Sequence, residues 1–78
     1  MRSPMEHERI QSRPDVMMGK PVIRGTRITV ELILRKLADG WTVAEICASY
    51  PHLQPEDIEA ALIFAADNVS HPTVWAAE

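Results

Sequence analysis

Five cations, Arg9, Arg13, Lys20, Arg24 and Arg27, crowd into residues 9–27 of the chain. Such a cluster can hold phosphate or carboxylate oxygens, by charge and, for arginine, by paired parallel hydrogen bonds. These five are therefore the candidate contacts to nucleic acid or to an acidic partner protein. The competing reading makes them solvated charges, or partners of acidic groups on the same or another chain. Near the other end, Val74 and Trp75 stand out from a polar tail, HPTVWAAE. Tryptophan anchors many protein interfaces, so the tail is a candidate partner-binding segment, with folding back onto the chain as the alternative.

Other chemistries find little support. His7, His52 and His71 lie in separate segments without ligand-spaced partners, so no metal site is expected. Cys47 falls on an apolar helical stripe, where a free thiol behaves as a small hydrophobe. The stretch GKPVIRG, with Gly19 and Gly25 six apart, lacks the ending and the strand-to-helix context of a phosphate loop. No catalytic constellation emerges and no cofactor is expected. A chain of 78 residues also rarely encloses a ligand pocket. The expectation is a binding protein, not an enzyme.

The charge arithmetic sharpens this. The net charge is −3, but all eight Lys and Arg lie in residues 1–36 against four acids. Residues 37–78 carry seven acids and no Lys or Arg. A polarised chain of this kind speaks of partners more than of fold. With 46% apolar residues, the composition is that of an ordinary globular domain. No run of apolar residues is long enough to span a membrane, and the N-terminus lacks a signal-peptide core. One cysteine suits a reducing compartment, so a cytoplasmic location is expected.

The elements that must position these residues are legible from periodicity. Residues 1–8 read as a loose leader. Residues 9–28 read as a β-hairpin arm, two extended segments joined by a turn around Gly19, with Pro14 and Pro21 confining them to edge-like pairing. An isolated hairpin is marginal, so the arm needs the rest of the chain or a second copy to pack on. From Thr29 the period becomes helical: Val30, Ile33, Leu34 and Leu37 share one face. The spacing predicts helices over 29–39, 42–50 and 55–68. Thr29 serves as N-cap of the first, and a Thr42–Glu45 capping box opens the second. Pro55 is a natural first residue for the third. In the second helix Val43, Ile46, Cys47 and Tyr50 form the apolar stripe. In the third, Ile58, Ala61, Leu62 and Ala65 do so, widened by Ile63 and Phe64. Residues 69–78 form the tail. The fold class is mainly α: a short N-terminal β-hairpin arm followed by a three-helix, helix-turn-helix-like bundle.

In a helix-turn-helix the third helix would read DNA bases. Here its outward residues include Glu56, Asp57, Glu59 and Asp67 and no cation, so the phosphate backbone would repel it. Any contact with DNA falls to the arm.

The run from about Ile10 to Ala66 resembles the family catalogued as domain of unknown function 433. The features that carry the resemblance are Gly19, Pro21, Arg24-Gly25-Thr26-Arg27, Ile28, Val30, Gly40, Tyr50-Pro51 and Glu56-Asp57-Ile58. One departure is Met18-Gly19, where the family usually has paired glycines. The resemblance implies a homeodomain-like helical domain with a β arm. It also implies an antitoxin-like role beside a toxin similar to PIN-type ribonucleases, with no catalytic residues to carry over. Gly19, Pro21, Gly25 and Thr26 are expected to be structural. The expected function is a complex that neutralises such a toxin, with operator-DNA binding through the arm as the alternative. A homodimer through the arms is expected on grounds of size.

Overall fold

The computed structural model describes residues 7–70. Strand β1 (Ile10–Gln11) pairs antiparallel with β2 (Val22–Ile23), and helices α1 (Val30–Ala38), α2 (Val43–Ser49) and α3 (Pro55–Val69) follow. The arm is thus real but contains little regular strand. Ile10 sits opposite Ile23 and Gln11 opposite Val22. On its other side β2 is bridged to Thr29, so the chain doubles back twice before α1 begins. Pro14 and Pro21 flank the short strands and do not interrupt them.

The turn around Gly19 is tighter than its sequence suggests. Met17, Met18 and Gly19 take φ values of +47°, +59° and +83° in succession. Only glycine adopts this region freely, and an L side chain there costs on the order of 1 kcal/mol. Met18 is 92% exposed, so packing offsets little of that cost. Replacing Met18 by glycine is expected to raise stability by about 0.5–1 kcal/mol, read as a higher thermal midpoint. A lowered midpoint would show that the methionine side chain contributes more than its backbone loses.

The helices start where the sequence says they should. Thr29 Oγ1 accepts from the Leu32 amide at 3.0 Å, capping α1. The Thr42–Glu45 box is complete: Thr42 Oγ1 accepts from the Glu45 amide, and Glu45 Oε1 accepts from the Thr42 amide at 2.7 Å. The expected ranges of α1 and α2 counted their caps as helix, which accounts for the one-residue differences, and α3 runs one residue further, to Val69. Helix α1 closes with the Gly40 amide donating to the Leu37 carbonyl and the Trp41 amide to the Lys36 carbonyl. Above this turn the Lys36 ammonium lies 4.2 Å from the Trp41 ring centroid, a cation–π contact joining α1 to the start of α2.

One core gathers residues from every element. Ile10, Ile23, Val30, Ile33, Ile46, Leu53, Ile58, Ala60 and Ala61 are buried together, with Phe64, Leu34, Leu37 and Tyr50 packed around them. Residues with hydrophobic-staple spacing precede two helices: before α3, Leu53 and Ile58 are both buried, and before α2, Trp41 packs against the core that holds Ile46.

Part of the expected helical stripe is wrong. Val43 is 37% exposed, Leu62 46% and Ile63 39%. Helix α2 has only seven residues, and α3 also packs against α1 and β1, so its inward face is not set by α2 alone. Asp57 and Ala60 are buried instead, Asp57 against Arg9 of the arm. At the start of the described residues, within the segment read as a leader, His7 meets α3. His7 Nε2 lies 3.0 Å from Asp67 Oδ2, and its ring meets Phe64 edge-on with centroids 5.2 Å apart.

Candidate functional site: the arm and its loop

The loop Arg24-Gly25-Thr26-Arg27 links β2 to the segment leading into α1. Its shape follows from a few hydrogen bonds. The Thr26 amide donates to the Ile23 carbonyl at 2.9 Å, closing a four-residue turn. Gly25 occupies the third position of that turn with φ +81°, the place where a type II turn requires glycine. Nothing lies within 4 Å of where a Gly25 side chain would begin, so the glycine serves the bend and not a close approach. Thr26 Oγ1 donates to the Ile23 carbonyl and accepts from the Ile28 amide at 3.0 Å, and the Ile23 amide donates to the Ile28 carbonyl. Thr26 therefore locks both ends of the loop.

The five candidate cations are not brought together as one patch. Arg9 Nη1 lies 2.9 Å from Asp57 Oδ1, fastening β1 to the first turn of α3. Arg13 pairs with Asp15 at 3.4 Å on the exposed approach to the turn. Lys20 Nζ lies 3.0 Å from Glu31 Oε1, tying the arm to α1. Arg24 Nε donates to the Glu8 carbonyl, and its Nη1 lies 3.5 Å from Gln11 Oε1, so it braces the arm internally. Arg9 and Arg24 line one open recess with Glu8 and Asp57. Arg27 is different. Among the described residues it is exposed and takes no hydrogen bond, ion pair or ring contact. The second reading of the cations, internal pairing, thus describes most of them, and the loop presents one that remains available.

Glu31 receives two cations, Lys20 on Oε1 and Arg35 on Oε2 at 3.1 Å. The hydrogen bond from Lys20 first, then that from Arg35, holds its carboxyl below the usual glutamate range. A depressed folded-state value adds stability above the unfolded pKa, and that contribution disappears as pH falls through the folded value. Glu31 is therefore expected to titrate below the ordinary glutamate range when its carboxyl carbon is followed by NMR. Replacing Lys20 by methionine should move it back toward the ordinary range.

Two features of the arm lay beyond sequence reasoning. Asp57 reads as one more first-turn acid on α3, yet it is buried and joins Arg9 across 48 residues of chain. The His7–Asp67 contact carries no signal in spacing either. The tail candidates Val74 and Trp75 lie outside the described residues. Among the described residues, no group of three or more His, Cys, Asp or Glu is placed to hold a metal ion. No helix among them is long and apolar enough to cross a membrane.

These features define a small, mainly helical domain whose β arm carries a locked, arginine-bearing loop. The chain belongs to the family described as protein of unknown function, DUF433, which it matches over residues 10–65. It is similar to the crystal structure of a DUF433 member from Anabaena variabilis, at 36% identity and a TM-score of 0.76, covering 82% of this chain and 63% of that one. It is also 38% identical over 61 residues to the uncharacterised protein y4eO of Sinorhizobium fredii. That match covers 78% of this chain and 28% of the relative, so the chain spans well under half of the curated relative's length.

Proposed function

We propose that this chain is a cytoplasmic, antitoxin-like binding protein that forms a complex with a partner toxin, a PIN-like ribonuclease, and neutralises it. The observation that carries this reading is Arg27: an exposed arginine that takes no partner among the described residues, on a loop fixed by Thr26 and Gly25. The fixed loop backbone costs little to order on binding, and an arginine guanidinium suits paired recognition of carboxylates. A ribonuclease that holds a divalent cation between carboxylates offers such a target. Pairing through the outer edge of β1 would make the complex a dimer of such units, in keeping with the small core.

The test is co-expression with a PIN-like ribonuclease, followed by affinity and RNA-cleavage measurements. Arg27→Glu should weaken the complex by roughly tenfold or more and restore cleavage. Arg13→Glu, on the exposed approach to the turn, should change it far less. An undiminished complex in Arg27→Glu would end the proposed role of the loop. Binding of operator DNA that falls steeply with salt, without any nuclease complex, would favour the DNA alternative.

A further inference from the structure

The exposed apolar residues of α2 and α3 are not scattered. Val43 on α2 and Leu62 on α3 form the two walls of a groove of about 340 Å³, with Ile58 as its floor and Pro55 at one end. The polar groups lining it are Glu56 and Glu59. Both are exposed, and neither takes an ion pair among the described residues. No Lys or Arg occurs anywhere from residue 37 onward, so nothing on these helices can neutralise that rim.

We infer that this groove docks a cationic segment of a partner protein, one large apolar side chain in the groove flanked by Lys or Arg against Glu56 and Glu59. The charge decides the occupant. Covering the groove with a neutral apolar surface would strip water from two carboxylates and give them nothing in return. A second copy of this chain, related by a two-fold axis through the groove, would set acid against acid. A cationic segment satisfies both the apolar floor and the rim. The inference rests on the reading of the chain as a protein-capture module and extends it to a face on the opposite flank of α3 from the arm. A nuclease partner carries such segments for a chemical reason, since it must hold RNA phosphates.

The test titrates the full chain, with labelled methyl groups, with three short synthetic helical peptides. One carries leucines on a single face flanked by lysines, one has glutamates in place of the lysines, and one has alanines in place of the leucines. The lysine–leucine peptide should shift the methyl signals of Val43, Ile58 and Leu62, and the other two should not. Leu62→Lys, at an exposed position that the fold tolerates, should weaken that binding by roughly tenfold or more. Glu56→Lys combined with Glu59→Lys should do the same. Arg27→Glu should leave the titration unchanged, so the groove and the arm fail separately. Equal shifts with the glutamate peptide, no shifts with any peptide, or groove shifts that depend on protein concentration alone would overturn the inference.

Discussion

Replacing Asp57 by alanine is expected to lower the stability of this chain by about 2–3 kcal/mol, an effect out of proportion to one surface-type acid. The carboxylate does two things at once. Its Oδ2 accepts from the Gln54 amide at 2.9 Å, supplying the cap that α3 would otherwise lack, and its Oδ1 meets Arg9 at 2.9 Å. A lost cap costs about 0.5–2 kcal/mol, and a hydrogen bond to a charged group about 1.5–3. The sum is discounted because the Arg9 side chain is nearly half exposed and can return to water. The variants should therefore be ordered. Arg9→Ala costs least, on the order of 0.5–1 kcal/mol, because Asp57 keeps its amide partner. Asp57→Asn, which keeps an acceptor oxygen, falls between. Urea unfolding of the three variants measures this order directly. Equal losses in Arg9→Ala and Asp57→Ala would mean that the ion pair, not the cap, dominates.

Ile46→Ala is expected to be more damaging, at about 3–4 kcal/mol. Ile46 is fully buried on the short helix α2, where it packs into the core shared with α1 and α3. A chain of this size has about 4–12 kcal/mol of stability in total, so the loss removes a large share. At about 4–8 °C per kcal/mol, the thermal midpoint should fall by roughly 12–30 °C. Ile46→Val, which removes one methylene, should cost about 1 kcal/mol and keep a cooperative melt. A small loss in Ile46→Ala would mean that α2 can collapse into the space left behind.

Local signals carried most of the fold. Thr29, Thr42 with Glu45, and Pro55 mark helix starts through contacts spanning three residues or fewer, which sequence spacing encodes. The apolar stripe of α1 was equally legible, with Val30 and Ile33 buried on the expected face. Spacing could not say which flank of α3 would face inward. That depends on where a two-residue strand from the far end of the chain comes to rest. In the fold Asp57 and Ala60 are buried, and Leu62 and Ile63 stay outside. The charge split was visible from the start, but its meaning was not. The sequence leaves the arm's cations open between a basic patch and internal pairing, and Arg9, Arg13 and Lys20 pair with acids while Arg27 is exposed.

The Arg9–Asp57 contact, spanning 48 residues, also sets an order of events on the ribosome. The arm leaves the exit tunnel first, carrying Ile10, Val22 and Ile23, all of which end up buried. Their cover, the first turns of α3, is synthesised last of the core elements. At about 5–20 residues per second, the arm waits roughly 2–10 seconds for Asp57 to be made. Through that interval its apolar side chains stand uncovered, and its strand edges are open to whatever nascent chain or chaperone is nearest.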